Sequence, residues 1–416
     1  MVGKVPLLLG AYQSLSVIAE AQRCVNLFPE KNPQDTETPT THYMTPGLTS
    51  LGLPLTQDRG RMLYCDTQGT LWAIVGNSLY YIDSGWKFNL IGAINAGLNP
   101  CYAIDNGQIM VIVDGTNAGY QINLSTKVLS LIYDANFYGA DRVDYIDTFF
   151  VFNRPGTGQF YSSLSNTVTF DPLYIARKTG TPDNISTLAV IHREIWLLGA
   201  QYGSEIWADV GDANFPFAPI PGVFIQYGCA AKYSLAYNGL QLFWLSQDKN
   251  GKGFVLMGAP YKAQVISTPA ITQELSRYRR LDDAVGYCYQ QDGHVFYVLN
   301  FPTADKTWVY DESTGQWHER TWTDLNGVAH RDRINFAQFA YGKNVGLDWQ
   351  TGELYQLDPD NYTHDGLPIY RRRSFPHLVK DGKRMIYNLF SADMEVGTMQ
   401  TQVSRGGSGG VTAAPK

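Results

Sequence analysis

The chain has 416 residues, of which 17% are charged, and its formal charge is −6 at pH 7. The acidic excess argues against a generic nucleic-acid binder, because such proteins attract phosphates with surplus lysine and arginine. A neutral or acidic wall still suits a channel through which DNA must slide, since every phosphate paired with a cation slows its movement. No apolar run is long enough to predict a membrane span.

Residues 1–58 predict an extended N-terminal arm, because they lack the repeat described below and are rich in proline. The prolines stand among polar residues at Pro29, Pro33, Pro39, Pro46 and Pro54. The first ten residues, MVGKVPLLLG, contain an apolar run that Pro6 interrupts. This run is too short for a signal-peptide core, so no secretion is expected.

A strand-turn-strand pattern, clearest in the segment Gly293 to Arg320, recurs along residues 59–364. Turn residues that tolerate positive φ, such as Asp105-Asn106-Gly107 and Asp292-Gly293, separate the strands of several copies. The central strands of the seven copies begin near Leu71, Ile109, Thr148, Glu194, Leu240, His294 and Val345. A third strand follows each of them, as at Gln159 to Ser162.

The central strands predict how the copies pack. Leu71 to Val75 and Ile109 to Val113 are apolar at every position, which indicates strands that are buried on both faces. Short strands in stacked sheets predict an all-β fold that is β-propeller-like, with about seven blades. An irregular β-sandwich array is the alternative, because the spacing of the copies drifts. The one helix expected lies near Thr268 to Tyr278.

Beyond the repeats, residues 365–398 predict a small C-terminal β extension or a segment that closes the ring. Residues 399–416 are rich in glycine, serine and alanine and predict a flexible tail. The only dense basic stretch lies in the first of these segments, and we interpret it as a candidate interface for an acidic partner. Its residues are Arg371, Arg372, Arg373 and Lys380, followed by Lys383 and Arg384. A solvated surface is the alternative.

The five cysteines predict small buried side chains rather than a zinc site or a disulfide framework, because they are odd in number and none forms a CxxC pair. Cys65, Cys101 and Cys288 are expected in the first strands of their repeats.

No catalytic, cofactor-binding or metal-binding residue is predicted. Asp282 and Asp283 point in opposite directions on an extended chain, which favours a solvated turn over an acid/base pair with His294. His318 in an aromatic strand favours hydrogen-bonded packing over a base. The acidic turns at Asp248 and at Asp358 to Asp365 lack calcium-loop spacing and favour turn capping. The residues 406–410 match the nucleophile pattern G-x-S-x-G, but no strand is predicted before them and no helix after them. We interpret this segment as a linker.

Four segments resemble the phage packaged-DNA stabilisation proteins, which are also described as tail hub or nozzle proteins of short-tailed bacteriophages. The first consists of Arg23 to Glu30, RCVNLFPE, together with Thr45 to Leu48. The second is Phe215 to Met257. The others are Val265 to Ile271, VISTPAI, and Asp282 to Arg320, which ends FPTADKTWVYDESTGQWHER. The chain departs from the family's pattern in two places. The family tends to carry His and Glu in the segment that is Ser267 to Thr272 here, and it continues into further β-structure where this chain has a glycine-rich end.

The resemblance implies a structural virion protein without catalytic residues or cofactors. It implies a homo-oligomer, namely a homohexameric ring that lies below the portal and adaptor rings. This ring would extend the DNA channel and help keep packaged DNA inside. Its partners would be the adaptor ring and, in addition, a tail needle, tail fibres or tailspikes. Packaged DNA would pass through the lumen without sequence-specific binding. The expected location is the virion tail, with the host cytoplasm during assembly.

Two other functions stay open on the residues alone. A carbohydrate-binding β-propeller would stack sugar rings on exposed tryptophans, and its candidates are Trp86, Trp317, Trp322 and Trp349, although packing in the core is the simpler explanation. A propeller hydrolase would use carboxylates in the central channel. For the nozzle, the insertions Asp212 to Gly222 and Thr321 to Ile334 are the expected places for subunit contacts.

Overall fold

The computed structural model describes residues 23–32, 40–212 and 214–374. These residues form seven sheets of four or six strands, the blades of a β-propeller, as the repeat predicts. The central strands of the repeats are the second strands of the blades. Leu71–Val75 is buried at all five positions, which confirms that these strands are covered on both faces.

Blades 1 to 5 are meanders in which every strand pairs with the next one along the chain. Blade 1 contains Gly60–Cys65, Leu71–Val75, Ser78–Ile82 and Phe88–Ala93; blade 2 contains Tyr102–Asp105, Ile109–Val113, Gly119–Asn123 and Val128–Leu131; blade 3 contains Val143–Ile146, Phe149–Asn153, Gln159–Ser162 and Ile175–Arg177. Blade 4 contains Ile185–Ile191, Glu194–Gly199, Ser204–Asp209 and Phe217–Ile225, and blade 5 contains Ala236–Tyr237, Leu242–Gln247, Gly253–Ala259 and Lys262–Val265.

Blade 6 has four strands of its own and two added at its outer edge. Its own strands are Val285–Gln291, His294–Phe301, Lys306–Asp311 and Gln316–Arg320. Cys24–Val25 pairs in parallel with the last of them, and Arg372–Arg373 then pairs antiparallel with Cys24–Val25. Both ends of the described chain therefore meet on this blade.

Blade 7 takes its outer strand from the other end of the chain. Ile334–Ala340, Lys343–Asp348 and Leu354–Asp358 are its first three strands, and Gly47–Gly52 is the fourth. The strand that closes the ring thus lies within residues 1–58, the segment predicted as an arm, and part of that segment is built into the propeller. Thr363–His364 and Leu367–Pro368 extend the same sheet outward.

The remaining elements are short. Two strand pairs lie outside the blades. One pairs Leu27–Lys31 with Thr40–Met44, and the other pairs Trp322–Thr323 with Ala329–His330. A single turn of 3₁₀ helix spans Lys232–Ser234. The one α-helix of the described residues is Pro269–Leu275, within the range predicted for it. Thr268 caps this helix by accepting a hydrogen bond from the backbone N–H of Ile271, and Pro269 occupies the first turn, where its missing N–H costs nothing.

Seven hydrophobic cores lie between neighbouring blades, one in each gap of the ring. The core between blades 7 and 1 contains Val345 and Leu347 on one side and Leu71 and Ala73 on the other. Because a blade buries each face only against its neighbour, opening any one gap would expose apolar surface on two blades. All five cysteines are free, and three of them are buried.

Candidate functional site

The predicted basic interface lies at the outer edge of blade 6. Arg372 is exposed and its Nε donates a hydrogen bond to Ser374 Oγ at 3.2 Å. Arg371 and Arg373 are half-buried, and burial lowers the pKa of both guanidinium groups. Arg372 is therefore the member of the arginine run best placed to meet an acidic partner. Lys380 lies outside the described residues, so a surface shared by all four residues stays a prediction.

Beside these arginines, residues 23–31 hold the two ends of the described part of the chain on blade 6, and we call residues 23–31 the terminal clasp. Asn26 is its centre, with only 1% of its surface exposed. Its Nδ2 donates to the carbonyl oxygen of Tyr370 at 2.7 Å and to that of Thr321 at 3.1 Å, and its Oδ1 accepts from the N–H of Thr321 at 2.9 Å. One amide therefore connects the N-terminal segment, the end of blade 6 and the segment before the arginines.

Charge and packing strengthen the terminal clasp. Arg23 makes a two-pronged ion pair with Glu319, with Nε to Oε1 at 2.8 Å and Nη2 to Oε2 at 2.6 Å. This pairing raises the pKa of Arg23, although burial opposes it. Phe28 is buried in the core between blades 6 and 7, with its ring edge-on to Phe296 at 5.2 Å. The prediction of an arm anticipated neither set of contacts.

The residues considered for acid/base chemistry are engaged elsewhere. Asp282 pairs with Arg280 at 2.7 Å on the surface, and Asp283 accepts a hydrogen bond from the N–H of Thr303 at 2.8 Å. His294 is bonded through Nδ1 to Asp311 at 2.8 Å, in a buried contact within blade 6. The structure therefore does not bring His294 together with the two aspartates.

His318 differs from its prediction. It is fully buried, but neither ring nitrogen has a hydrogen-bond partner within the described residues. Its ring packs between Phe28 and Phe296 instead. Burial, with smaller effects from Arg320 and His294, lowers its pKa well below the usual value. The prediction of hydrogen-bonded packing was wrong, because the ring is held by aromatic contacts and not by a hydrogen bond.

The acidic turns act as caps. Asp248 Oδ1 accepts from the N–H groups of Asn250 and Lys252, both at 2.8 Å, and Asp358 Oδ1 accepts from the N–H of Asp360 at 3.1 Å. Within the described ranges, no three His, Cys, Asp or Glu side chains are grouped so that they could hold a metal ion. No helix in the same part of the chain is long and apolar enough to cross a membrane. The sequence 406–410 lies outside the described residues.

The four tryptophans proposed for sugar binding contact neighbouring groups of the protein. Trp317 is buried and donates from Nε1 to the carbonyl oxygen of Ile266 at 2.9 Å. The Arg331 guanidinium lies 3.9 Å from the ring centre of Trp349, and that of Arg333 lies 5.3 Å from the ring centre of Trp322. Trp86 packs edge-on against Tyr341 at 5.5 Å. Trp317 is therefore not available to a sugar ring, and Trp86, Trp322 and Trp349, which are half-buried, each have a contact with a neighbouring side chain.

A cavity of about 930 Å³ occupies the centre of the propeller. Residues of the inner strands of blades 1, 2, 5, 6 and 7 line it, together with Arg142 from blade 3. Its exposed lining residues lie where inner strands turn into second strands, as at Gly239, Gln290 and Phe339. The cavity therefore opens on the face that carries these turns. Sequence reasoning named some of its residues, such as Cys101, Cys288 and His294, but did not assign them to a common cavity, because no local pattern marks a position that faces the axis.

The fold defines a closed seven-bladed propeller with rigid loop faces, a small central cavity and polar side chains that chiefly brace the blades. The chain belongs to the phage stabilisation family, whose model is described as "Bacteriophage P22 Gp10, beta-propeller" and matches residues 3–362. It is therefore a structural β-propeller protein of a bacteriophage, as the resemblance implied.

Other comparisons add little. The N-terminal domain of Nup159 is 8% identical with a TM-score of 0.46, over 80% of this chain and 98% of that one. BamB from Moraxella catarrhalis is 9% identical with a TM-score of 0.44, over 86% of this chain and 92% of that one. A chain of the Mitotic Checkpoint Complex is 9% identical with a TM-score of 0.45, over 79% of this chain and 98% of that one. Similarity at this level supports no inference about function. No curated protein matches the sequence significantly.

Proposed function

We propose that the chain is a subunit of the tail hub, or nozzle, of a short-tailed phage. Copies of it form a homohexameric ring below the portal and adaptor rings, extend the DNA channel and help to retain packaged DNA. The protein is not an enzyme in this role and needs no cofactor. It is a component of the virion tail that assembles in the host cytoplasm, and a needle, fibres or tailspikes attach to the same structure.

The size of the central cavity is the observation that carries this proposal. A cavity of about 930 Å³ has the volume of a small-molecule pocket. The seven interblade cores surround it without interruption, so it cannot widen without separating blades. A channel for duplex DNA therefore has to be formed between copies of the chain, and a ring of copies supplies one.

The surface offers places for contacts between copies. The insertion Thr321 to Ile334 forms the hairpin of Trp322–Thr323 and Ala329–His330, with Leu325 87% exposed at its tip. Asp324 accepts hydrogen bonds from two N–H groups of this turn and so fixes its shape. The other expected insertion, Asp212 to Gly222, runs into the outer strand of blade 4, Phe217–Ile225. We propose the hairpin as the stronger subunit contact, because a rigid apolar tip loses little entropy on docking.

Sedimentation equilibrium of the purified chain tests ring formation, first alone and then with portal and adaptor components. A hexamer, or an oligomer that forms only when the adaptor is present, supports the proposal. A chain that stays monomeric under both conditions contradicts it. The same measurement on Leu325→Asp should show weaker association, while Tyr133→Asp, at a residue 89% exposed on blade 2, serves as the matched control.

A further inference from the structure

The opening of the central cavity combines aromatic and amide side chains from neighbouring blades, of which Phe339 and Gln290 are exposed and Tyr64 and Gln338 are half-buried. Phe339 of blade 7 is 66% exposed and lies among the lining residues. Tyr64 of blade 1 lines the same cavity, with its hydroxyl fixed by a 2.7 Å hydrogen bond to Asp105. Gln290 of blade 6 and Gln338 of blade 7 complete this group. We call these four residues the amide-aromatic mouth.

The amides of the mouth have unused hydrogen-bonding capacity. Within the described part of the chain, the side chains of Gln290 and Gln338 make no hydrogen bond. Asn344, next to them, donates from Nδ2 to the carbonyl oxygen of Gln290 at 2.7 Å and keeps its Oδ1 free. A primary amide offers two donors and one acceptor oxygen. The mouth can therefore both donate to and accept from a bound molecule.

The charged residues of the lining disfavour an anionic ligand. The Arg142 guanidinium lies 4.0 Å from the ring centre of Tyr102 and donates to the carbonyl oxygen of Leu235 at 3.1 Å. Asp292 accepts from Gln291 Nε2 at 3.1 Å, and His294 is bonded to Asp311. Asp292 is exposed and accepts from a neutral amide, so its negative charge would repel an anionic ligand. Arg142 is buried and already engaged, so it would compensate little of the desolvation of such a ligand.

We propose that the amide-aromatic mouth and the cavity behind it bind a neutral saccharide. Sugar rings need an aromatic face for their C–H surface, and Phe339 offers one that is open to solvent. Their hydroxyl groups need donors and acceptors in equal measure, which the amides of Gln290 and Gln338 provide. The cavity volume falls within the range typical of small-ligand sites. This inference does not depend on ring assembly.

Isothermal titration of the full chain with maltotriose, cellotriose and N,N′,N″-triacetylchitotriose tests the proposal, with trigalacturonate as the charged comparison. At least one neutral trisaccharide should bind, and trigalacturonate should bind at least tenfold more weakly. Phe339→Ala should weaken the neutral ligand about tenfold, and Gln338→Ala should weaken it several-fold. Leu240→Ala, at a residue 69% exposed in a neighbouring turn but outside this cavity, is the matched control and should change nothing.

Three results would overturn the proposal: binding of none of the neutral sugars at 10 mM, tighter binding of trigalacturonate, or unchanged affinity in Phe339→Ala. Phe339 is largely exposed, so its replacement should leave the fold intact, which the unfolding temperature of the variant verifies. Should Gln338→Ala fail to fold, chemical-shift changes at the mouth of the unmodified chain, on addition of the sugar, decide between this cavity and another site.

Discussion

Asn26 is the residue on which the terminal clasp depends most. It has positive φ, 53°, which asparagine tolerates better than most residues. Its side chain bonds to Thr321 and Tyr370, which lie about 300 residues further along the chain. A buried amide that is fully paired stabilises a unique arrangement, and the loss of one partner leaves the others unsatisfied.

We expect Asn26→Ala to lower the free energy of unfolding by about 2–4 kcal/mol, because it leaves several buried polar groups of blade 6 and of the C-terminal segment without partners. Urea unfolding followed by tryptophan fluorescence measures the change. Asn326→Ala, in an exposed turn where the side chain bonds only to Asp324, is the control and should stay within about 0.5 kcal/mol. Equal effects of the two substitutions would remove Asn26 from its central role.

His318 predicts a dependence of stability on pH. Burial holds its folded-state pKa well below 6.5, the value expected in the unfolded chain. Between these two pKa values the unfolded chain binds a proton that the folded chain does not. The free energy of unfolding therefore decreases as the pH falls below about 6.5.

We expect His318→Leu to stabilise the protein by about 1 kcal/mol at pH 8, because it removes two unpaired nitrogens from an apolar site. At pH 5 the gain should be larger, since the variant has no proton to take up at this position. Urea unfolding at both pH values measures the difference. A gain that is the same at pH 5 and pH 8 would show that His318 is not neutral in the folded state.

At the scale of elements, the seam of blade 7 closes the ring. Gly47–Gly52 pairs with Leu354–Asp358 in a register that sets Thr49 opposite Gln356. Gly47 is required at the start of this strand, because a Cβ there would lie 2.2 Å from the carbonyl oxygen of Asn361. A seam between distant parts of the chain makes the first and last blades fold as one unit.

The double substitution Thr49→Cys and Gln356→Cys should form a disulfide on mild oxidation, because residues directly opposite in an antiparallel pair have Cβ atoms about 4.5–5.5 Å apart. Mass spectrometry of the digested protein detects the linked peptides. Ser50→Cys with Gln356→Cys is the matched control, since adjacent residues of a strand point to opposite faces. A link that forms in the control pair, or in neither pair, would contradict the register.

The sequence predicted the blades well and the seam poorly, for physical reasons. The apolar composition of Leu71–Val75 and Ile109–Val113 is enough to predict that these strands are buried. Turns such as Asp292-Gly293 are also predictable, because they require residues that tolerate positive φ, which is 50° and 81° here. No local sequence pattern predicts the pairing of Gly47–Gly52, because its partner strand lies about 300 residues further along the chain. The same holds for Asn26, whose partners are remote, and for Gln338 and Phe339, which only the fold brings to the axis.

At the scale of the whole molecule, we expect the exposed basic edge of blade 6 to contribute to docking on the adaptor. Arg372→Glu should weaken binding to the adaptor ring at least tenfold and make the remaining affinity less dependent on salt, because it reverses an exposed charge. Surface plasmon resonance at two salt concentrations measures both effects. Arg279→Glu makes the same change at an exposed residue next to the helix, and it should bind as the unmodified chain does. An unchanged affinity in Arg372→Glu would remove this edge from the interface.

Electron microscopy of tails that contain this protein tests the central claim most directly, which is that copies of the chain together surround the DNA. We predict six propellers around a common lumen, with density for DNA on the shared axis and none through the cavity of any single propeller. DNA that threads an individual propeller, or a tail in which the chain occurs as one isolated copy, would contradict the account.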